Sequence, residues 1–423
     1  MFPVDHTSKL IIGSQTHLLA GKRIVLCVTG SVAAVQCVEL ARQLMRWGAE
    51  VYCVMSRNAR TIIHPYLLEW ATGNYVVTRL TGRIEHVTLA GSHEGHADLV
   101  LVAPATANTI GKIANGIDDT PVTTTVSSAI GARIPVIVVP AMHRSMYDHP
   151  AVIENIEKLR HIGVKIVQPR LEEAKAKFPS LTEIVEAVYS SLVEHDLEGK
   201  RVVVTAGPTR GWIDRVRFMT NPSSGKMGIE IAKEALARGA DVTLILGPSQ
   251  EIPPEQVRLV RVDSTREMRD AVIDAIQTNG AEVLISAAAV LDFEPEKREE
   301  RKRPSGEDYS IKLVSTPKII DEARERFPGL FIVGFKLESG LNDDQLCARA
   351  REKIESGVCD LVVANDERRS GAAFGSDTNE VLVVGPEGLI RKIGPFSKRE
   401  VARGIVDTLV QKLRNTRDGT KTS

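Results

Sequence analysis

The sequence predicts an α/β protein made of two consecutive doubly wound, parallel-sheet (Rossmann-like) domains. Three observations predict it. Apolar, β-branched runs of strand length recur, each followed by a stretch of helical period, and such runs suit strands covered on both faces of a parallel sheet. Two strand-to-helix junctions open on glycine and small polar residues, Thr29-Gly30-Ser31 and Thr205-Ala206-Gly207-Pro208-Thr209-Arg210. The second of these starts near residue 200 of 423, where a new domain would start in a chain long enough for two or three. The expected domains are residues 1–195 and 196–423, joined by the polar segment Asp196-Leu-Glu-Gly-Lys200.

Composition mainly excludes. Lys+Arg and Asp+Glu are 54 each, so no net field calls for nucleic acid or an acidic membrane, and neither is expected as a partner. No charged-then-apolar leader and no apolar run of about 18 residues is present, which reads as a cytoplasmic protein. Cys27, Cys37, Cys53, Cys347 and Cys359 are odd in number and lack metal-ligand spacing. They read as buried free thiols of a reducing compartment.

Residues 1–20 read as an irregular arm. Arg23 to Thr29 is the first strand, broken by Gly30-Ser31. A helix follows to about Trp47, with Val32, Val35, Val38, Ala41 and Leu44/Met45 on one face. Gly48 ends it and Glu50–Met55 is the next strand, so this βαβ unit has its ligand ends at Thr29–Ser31 and at Ser56-Arg57. A third strand, Leu99 to Ala103, runs into Pro104-Ala-Thr106-Ala-Asn108-Thr109 and a helix. Small hydroxyl and amide residues at a strand's carboxyl end suit a flat, hydrogen-bonding cofactor that approaches the backbone. A fourth strand, Val136 to Val139, leads into Pro140-Ala-Met142-His143, and Glu85-His86 precedes the third strand.

Val28-Thr-Gly-Ser-Val-Ala-Ala34, Glu85-His86, Ala103-Pro-Ala-Thr-Ala-Asn-Thr109 and Pro140-Ala-Met…Met-Tyr147 resemble, in that order, the flavin-dependent cysteine decarboxylases over residues 20–180. The resemblance implies FMN between the subunits of a trimer, oxidation of a cysteinyl thiol, loss of CO2 and re-reduction of the enethiol. It implies a catalytic His86. Gly30, Ser31, Ser56, Ala103, Pro104, Thr106, Asn108 and Met142 are the residues expected to hold the cofactor. Two departures stand out. His143 occupies the place where the family usually has an Asn for the substrate carboxylate, a role a His keeps with another pH dependence. The flap Gln168–Pro179 lacks the family's usual cysteine; Lys175 or Lys177 would bind phosphate or replace that proton donor, or the stretch is a solvated charged loop.

Ser180 to His195 reads as an amphipathic helix, and Arg201 opens the second domain. A glycine turn at Ser223-Ser224-Gly225 precedes a helix to Arg238. Backbone N–H groups free at such a helix start, with the positive end of the dipole, hold an anion. The spacer of a P-loop is absent before Lys226. Val242–Leu246 and Val283–Ser286 are strands, the latter ending in Ala287-Ala-Ala-Val-Leu-Asp292, which suits a nucleotide base or ribose. A charged loop spans 294–310. Ile311 onward leads a strand into a helix with Pro317 in its first turn. Strands are expected from Leu330 and from Cys359 to Asp366, a helix over Asp343–Ser356, a hairpin arm over Phe374–Gly385, and a last helix from Ser397 to Arg414 before a disordered tail.

Ala206-Gly-Pro-Thr-Arg210, Arg217-Phe-Met-Thr-Asn-Pro-Ser-Ser-Gly-Lys-Met-Gly228, Ala287-Ala-Ala-Val-x-Asp292, Gly334-Phe335 and Ala364-Asn-Asp366 resemble phosphopantothenate–cysteine ligases over residues 198–415. The order of the two halves is that of bifunctional coenzyme A biosynthesis enzymes. The resemblance implies CTP-dependent activation of 4′-phosphopantothenate, attack by the cysteine amine, and a Mg2+-bound triphosphate. It implies that Asn221 contacts the acyl intermediate, Arg217 supports it, and Lys302 (or Lys297) acts on the triphosphate. Gly207, Thr209, Ser223, Ser224, Gly225, Ala288, Asp292, Pro317, Lys318, Phe335, Lys353 and Asn365 are the expected substrate and nucleotide residues. The family often has a second lysine four residues after Lys353; Gly357 stands there. A homo-oligomer is expected, with a trimeric decarboxylase and dimerising ligase domains.

Overall fold

A computed structural model describes residues 6–172, 175–302, 306, 308–369 and 376–419, with backbone alone at 171, 172, 175, 176 and 416–419. The chain divides into two units, Met1–Val193 and Glu194–Ser423.

In the first unit, β1 (Arg23–Val28) is buried from Ile24 onward. The helix expected at Gly30-Ser31 starts as a 3-10 turn, Val32–Gln36, and becomes α1 (Cys37–Arg46). Then come β2 (Glu50–Met55), α2 (Pro65–Thr72), β3 (Val76–Val77) and α3 (Glu85–Ala90). β3 is too short to leave a periodicity, so the strand expected third is fourth. β4 (Leu99–Ala105), α4 (Ala107–Ala114), α5 (Pro121–Gly131) and β5 (Val136–Pro140) follow. Beyond them lie β6 (Met142–His143), α6 (Arg144–Tyr147), α7 (Pro150–His161), β7 (Lys165–Ile166), β8 (Arg170–Glu172), β9 (Lys175–Lys177) and α8 (Leu181–Leu192). The sheet runs β3-β2-β1-β4-β5-β7, all parallel. Its order reverses between β1 and β4, and such a switch point opens a crevice at the strands' carboxyl ends. The flap contains a hairpin: β8 and β9 pair antiparallel, and β9 pairs with β6, setting Lys175 opposite His143. Residues 173 and 174 of that flap lie outside the described residues.

The second unit contains β10 (Arg201–Ala206), β11 (Arg210–Trp212), β12 (Phe218–Thr220), α9 (Lys226–Ala237), β13 (Asp241–Leu246), β14 (Arg258–Arg261) and α10 (Thr265–Asn279). It continues with β15 (Val283–Ser286), β16 (Phe293–Pro295), β17 (Leu313–Ser315), α11 (Ile319–Arg326), β18 (Phe331–Glu338) and α12 (Asp343–Glu355). β19 (Leu361–Asp366), β20 (Thr378–Gly385), β21 (Gly388–Ser397) and α13 (Lys398–Gly419) complete it. The sheet order is β14-β13-β10-β15-β18-β19-β20-β21. It is parallel as far as β19, and β20 and β21 extend it antiparallel, so the C-terminal hairpin belongs to the main sheet. Residues 374 and 375 of the expected arm and 420–423 of the expected tail lie outside the described residues. Pro317 falls one residue before the cap of α11, not in its first turn. Lys318 is still extended (ψ 94), and the helix begins at Ile319.

Two apolar layers sandwich this sheet. One joins Ile229, Ile231 and Ala235 of α9 with Val401, Ile405 and Leu409 of α13. The other joins Met268 and Val272 of α10 with Ile319 of α11 and Leu346 of α12. α9 and α13 are also tied by buried charges. The Glu234 carboxylate, without exposure, accepts from Arg238 Nε (2.7 Å) and Arg399 Nη1 (2.6 Å). Removing one partner of a buried ion pair leaves the other charged and unsolvated. Glu234→Ala is therefore expected to lower the stability of this unit by about 3–5 kcal/mol, measured by urea unfolding.

Candidate functional site

The carboxyl ends of β15, β18 and β19 form the floor of a cleft of about 500 Å³, with the start of α9 at one side and the start of α11 at another. What lets α9 approach is glycine. Gly225 caps the helix at φ 83°, and a Cβ there would lie 3.1 Å from the Gly207 nitrogen. Ser223 Oγ accepts from Gly225 N (3.3 Å) and Ser224 Oγ from Lys226 N (3.4 Å). The turn thus closes on itself and presents the first amides of α9 to the cleft.

Eight further predicted residues meet there. Asn221, Ala288, Asp292, Pro317, Lys318, Phe335, Lys353 and Asn365 line the cleft with Ser223, Ser224 and Gly225. Asn221 Nδ2 donates to the carbonyls of Ala289 and Val290, both at 3.1 Å, which leaves its Oδ1 as the available acceptor. Lys318 Nζ pairs with Asp292 at 2.5 Å. Among the described residues no carboxylate is at ion-pair distance from Lys353.

Four predicted residues do not line this cleft. Gly207 lies beneath the α9 turn, its carbonyl accepting from Ala289 N (2.9 Å). Thr209 is fully buried; its hydroxyl bonds Thr265 Oγ1 (2.9 Å) and accepts from Leu291 N (3.0 Å), so it holds the loop after β15 instead of facing a ligand. Arg217, in the β11–β12 turn, is held by the buried Asp214 carboxylate through Nε (2.8 Å) and Nη2 (2.5 Å). Lys302 is exposed on the charged loop, and residues 303–305 and 307 lie outside the described residues. From the same loop Arg298 stacks on Trp212, 4.9 Å from the ring centroid.

Residues missed by the sequence reading also line the cleft: Thr316, Lys336, Asn379 and Lys398. Asn379 carried a usable signal, an amide inside an apolar strand run. Lys398 carried none, since it belongs to a helix start remote in sequence.

In the first unit the predicted cofactor residues gather at the carboxyl ends of β1, β2, β4 and β5. Thr29 Oγ1 donates to the Pro104 carbonyl (2.7 Å) and accepts from Thr106 N (3.2 Å), bridging the switch point. Thr106 caps α4 by accepting from Thr109 N (3.3 Å), which leaves the amides of Ala107 and Asn108 without intrahelical partners. Gly30 lies against Asn58, where any Cβ would come within 2.6 Å, so the chain there is bare backbone. Ser31 is half-buried and extended, and Ser56 Oγ accepts from Ala59 N (3.3 Å). Ala103 and Pro104 are buried within β4, and the Ala103 carbonyl accepts from Cys37 Sγ, so Ala103 serves packing. Asn108 and His143 are exposed and Met142 is half-buried.

His86 sits on the first turn of α3, entered through Ile84 at φ 48°. Glu85 clasps Thr81 N (2.9 Å), and this contact together with the Thr81 hydroxyl holds its carboxyl below the ordinary range. The Nδ1 of His86 is buried and has no hydrogen-bond partner among the described residues. An orphaned imidazole nitrogen, bare backbone at Gly30 and free amides at α4 fit a flat, phosphate-bearing cofactor such as FMN. Burial pushes the Cys53 thiol up to about 12 and raises Cys27 and Cys37 as well, so none of the three stands in for the absent flap cysteine. Among the described residues no group of three or more His, Cys, Asp or Glu side chains could hold a metal ion. Among the described residues no helix is long and apolar enough to cross a membrane.

Residues 12–193 match the family model described as Flavoprotein, and residues 197–413 match that of the DNA/pantothenate metabolism flavoprotein C-terminal domain. The coenzyme A biosynthesis bifunctional protein CoaBC of Thermococcus kodakarensis is 52% identical over 408 residues, covering 96% of this chain and all of that one. A crystal structure of the C-terminal domain of a CoaBC protein is 34% identical, covers 52% of this chain and 100% of its own, with a TM-score of 0.44. That of the FMN-dependent cysteine decarboxylase SpaF is 31% identical, covers 41% and 99%, with a TM-score of 0.37.

The αL glycine cap is testable. Gly225→Ala forces a Cβ into a left-handed residue and against Gly207, at a cost of about 1–2 kcal/mol. Turnover through the cleft is expected to fall at least about tenfold in steady-state assays, with the first unit's chemistry unchanged.

Proposed function

The chain belongs to the family of bifunctional coenzyme A biosynthesis proteins, and from that premise we propose how its two halves divide the work. Residues 196–423 join 4′-phosphopantothenate to cysteine at the expense of CTP, and residues 1–195 decarboxylate the product to 4′-phosphopantetheine. The single observation that carries the reading is the cleft of the second unit. It brings an amide, a phosphate turn and an acid–lysine pair to one set of strand ends.

In the ligase step the substrate carboxylate attacks the nucleotide's α-phosphorus, a P–O bond forms and pyrophosphate leaves. The cysteine amine then attacks the acyl carbon and the nucleoside monophosphate departs. Asp292 and Lys318 hold the nucleotide, Phe335 flanks its base, and Lys353 neutralises the triphosphate. Lys302 approaches the same phosphates from the charged loop. Mg2+ comes with the triphosphate, whose oxygens supply most of its ligands. Asn221, its N–H groups spent on two backbone carbonyls, offers an acceptor to the attacking amine. Arg217 supports the acyl intermediate from the β11–β12 turn, where Asp214 fixes its guanidinium.

In the first unit Gly30, Ser31, Ser56, Thr106, Asn108 and Met142 would hold FMN. When bound, FMN supplies the two-electron oxidation of the cysteinyl thiol and returns the electrons to the enethiol left after CO2 leaves. His86 receives the thiol proton on its imidazole. His143 donates to the departing carboxylate, and Lys175, its register partner across β6 and β9, or Lys177 is the source of the last proton. The assembly is a homo-oligomer, trimeric through the decarboxylase and dimeric through the ligase, in the cytoplasm.

Mass spectrometry of a mixture of phosphopantothenate, cysteine, CTP and Mg2+ with the flavin-loaded protein tests both halves. Phosphopantetheine is the expected product. Accumulation of the enethiol would remove the final reduction, and absence of pyrophosphate with any nucleotide would remove the ligase. Two substitutions separate the steps. Asn221→Ala is expected to slow ligation about 100-fold while decarboxylation of added phosphopantothenoylcysteine proceeds. His86→Asn should abolish CO2 release and leave pyrophosphate release intact.

A further inference from the structure

The cleft has two cationic ends, supplied from opposite faces of the sheet. Lys318 and Lys353 belong to the α11 cap and α12, on the face covered with α10. Lys226 and Lys398 begin α9 and α13, which cover the other face. Lys226 is already neutralised by Asp377 (2.8 Å) and Glu251 (3.7 Å). Lys398 is not: among the described residues no carboxylate oxygen lies at ion-pair distance from it. It is nevertheless largely covered, and burial, with the neighbouring Lys226 charge second, pushes its ammonium below the ordinary lysine range.

Its place in the helix is unfavourable as well. Lys398 is the first residue of the 22-residue α13, where the positive dipole end prefers an acid. Glu400 in the first turn, and Asp377 and Glu251 at longer range, offset this only in part, and a covered cation at a helix start without an ion-pair partner marks a place where a ligand supplies the compensation. The ligand must be an anion. On the ligase reading, which this inference rests on, the nucleotide occupies the Asp292–Lys318 end, and the polyanion left over is the phosphomonoester of the acid substrate.

We infer that Lys398 binds the terminal phosphate of the pantothenate-type acid, beside the Ser223–Gly225 turn, and makes the ligase require a phosphorylated substrate. Lys398 is a specificity residue for the acid and not a triphosphate contact replacing the lysine absent at Gly357.

Lys398→Met and Lys398→Arg test this, with phosphopantothenate and CTP varied separately and pyrophosphate release followed. For Lys398→Met the KM for phosphopantothenate is expected to rise roughly 10- to 100-fold, the range of a charge-assisted hydrogen bond. The KM for CTP should stay within about twofold, and Lys398→Arg should recover most of the loss. Discrimination against unphosphorylated pantothenate should fall by the same factor. Calorimetric titration of phosphopantothenate onto the nucleotide-free chain should show the same weakening without any turnover. Removing a cation from a helix start does not weaken the helix, and an unchanged melting temperature verifies the fold. A rise in the KM for CTP as large as that for the acid overturns the inference, as does an unaltered acid affinity. If the unsubstituted chain releases no pyrophosphate, the ligase reading fails instead, and the titration still decides the role of Lys398.

Discussion

The second unit depends on backbone lying against backbone where three glycines meet. A Cβ on Gly225 would be 3.1 Å from Gly207 N, one on Gly207 would be 3.3 Å from Gly247, and one on Gly247 would run into the Pro208 carbonyl. One turn further on, a Cβ on Gly228 would reach 2.6 Å from that of Ala206. Without side chains at these points, α9 settles directly onto the end of β10. Its free amides then lie at the reversal of strand order, where an open α/β sheet has its crevice.

The loops around that contact are fastened by short polar ties more than by apolar packing. Thr209 reaches under the cleft to Leu291 N and Thr265, Asn221 spans to two carbonyls after β15, and Thr316 bonds the Leu291 carbonyl. Each tie satisfies a backbone group that has left its strand, and a buried group without a partner would cost about 1–3 kcal/mol. The first unit uses the same device once, at Thr29, whose hydroxyl serves both Pro104 and Thr106 across its own switch point. In both units a strand-end threonine sets the geometry and the ligand groups stand beside it. This explains how Thr209 reads as a ligand contact in one dimension and is structural in three.

The flap of the first unit shows charge and pairing acting together. Its Lys-rich stretch forms β9, which pairs with β6 and carries Lys175 opposite His143. Two departures from the decarboxylase pattern, far apart in sequence, are therefore cross-strand neighbours. Burial raises the thiols of the cysteines of the same unit well above the ordinary cysteine range.

Local pattern determined a great deal by itself. The strands Glu50–Met55 and Val283–Ser286, the cap at Gly225 and the helix after it were legible because period and turn chemistry are properties of neighbouring residues. The motifs also named most of the cleft, since Asn221, Asp292 and Asn365 each stand at a strand end and Phe335 lies within β18. β3, with two residues, and the β11–β12 hairpin had too little periodicity to be read. Only the tertiary structure decided which side chains face the ligand. It turned Thr209 inward, engaged Arg217 with Asp214, moved Pro317 ahead of the α11 cap and brought Lys398 to the start of α9. Facing depends on which layers pack together and which groups they bury, and even a partner as near in sequence as Asp214 is to Arg217 is buried only by the fold.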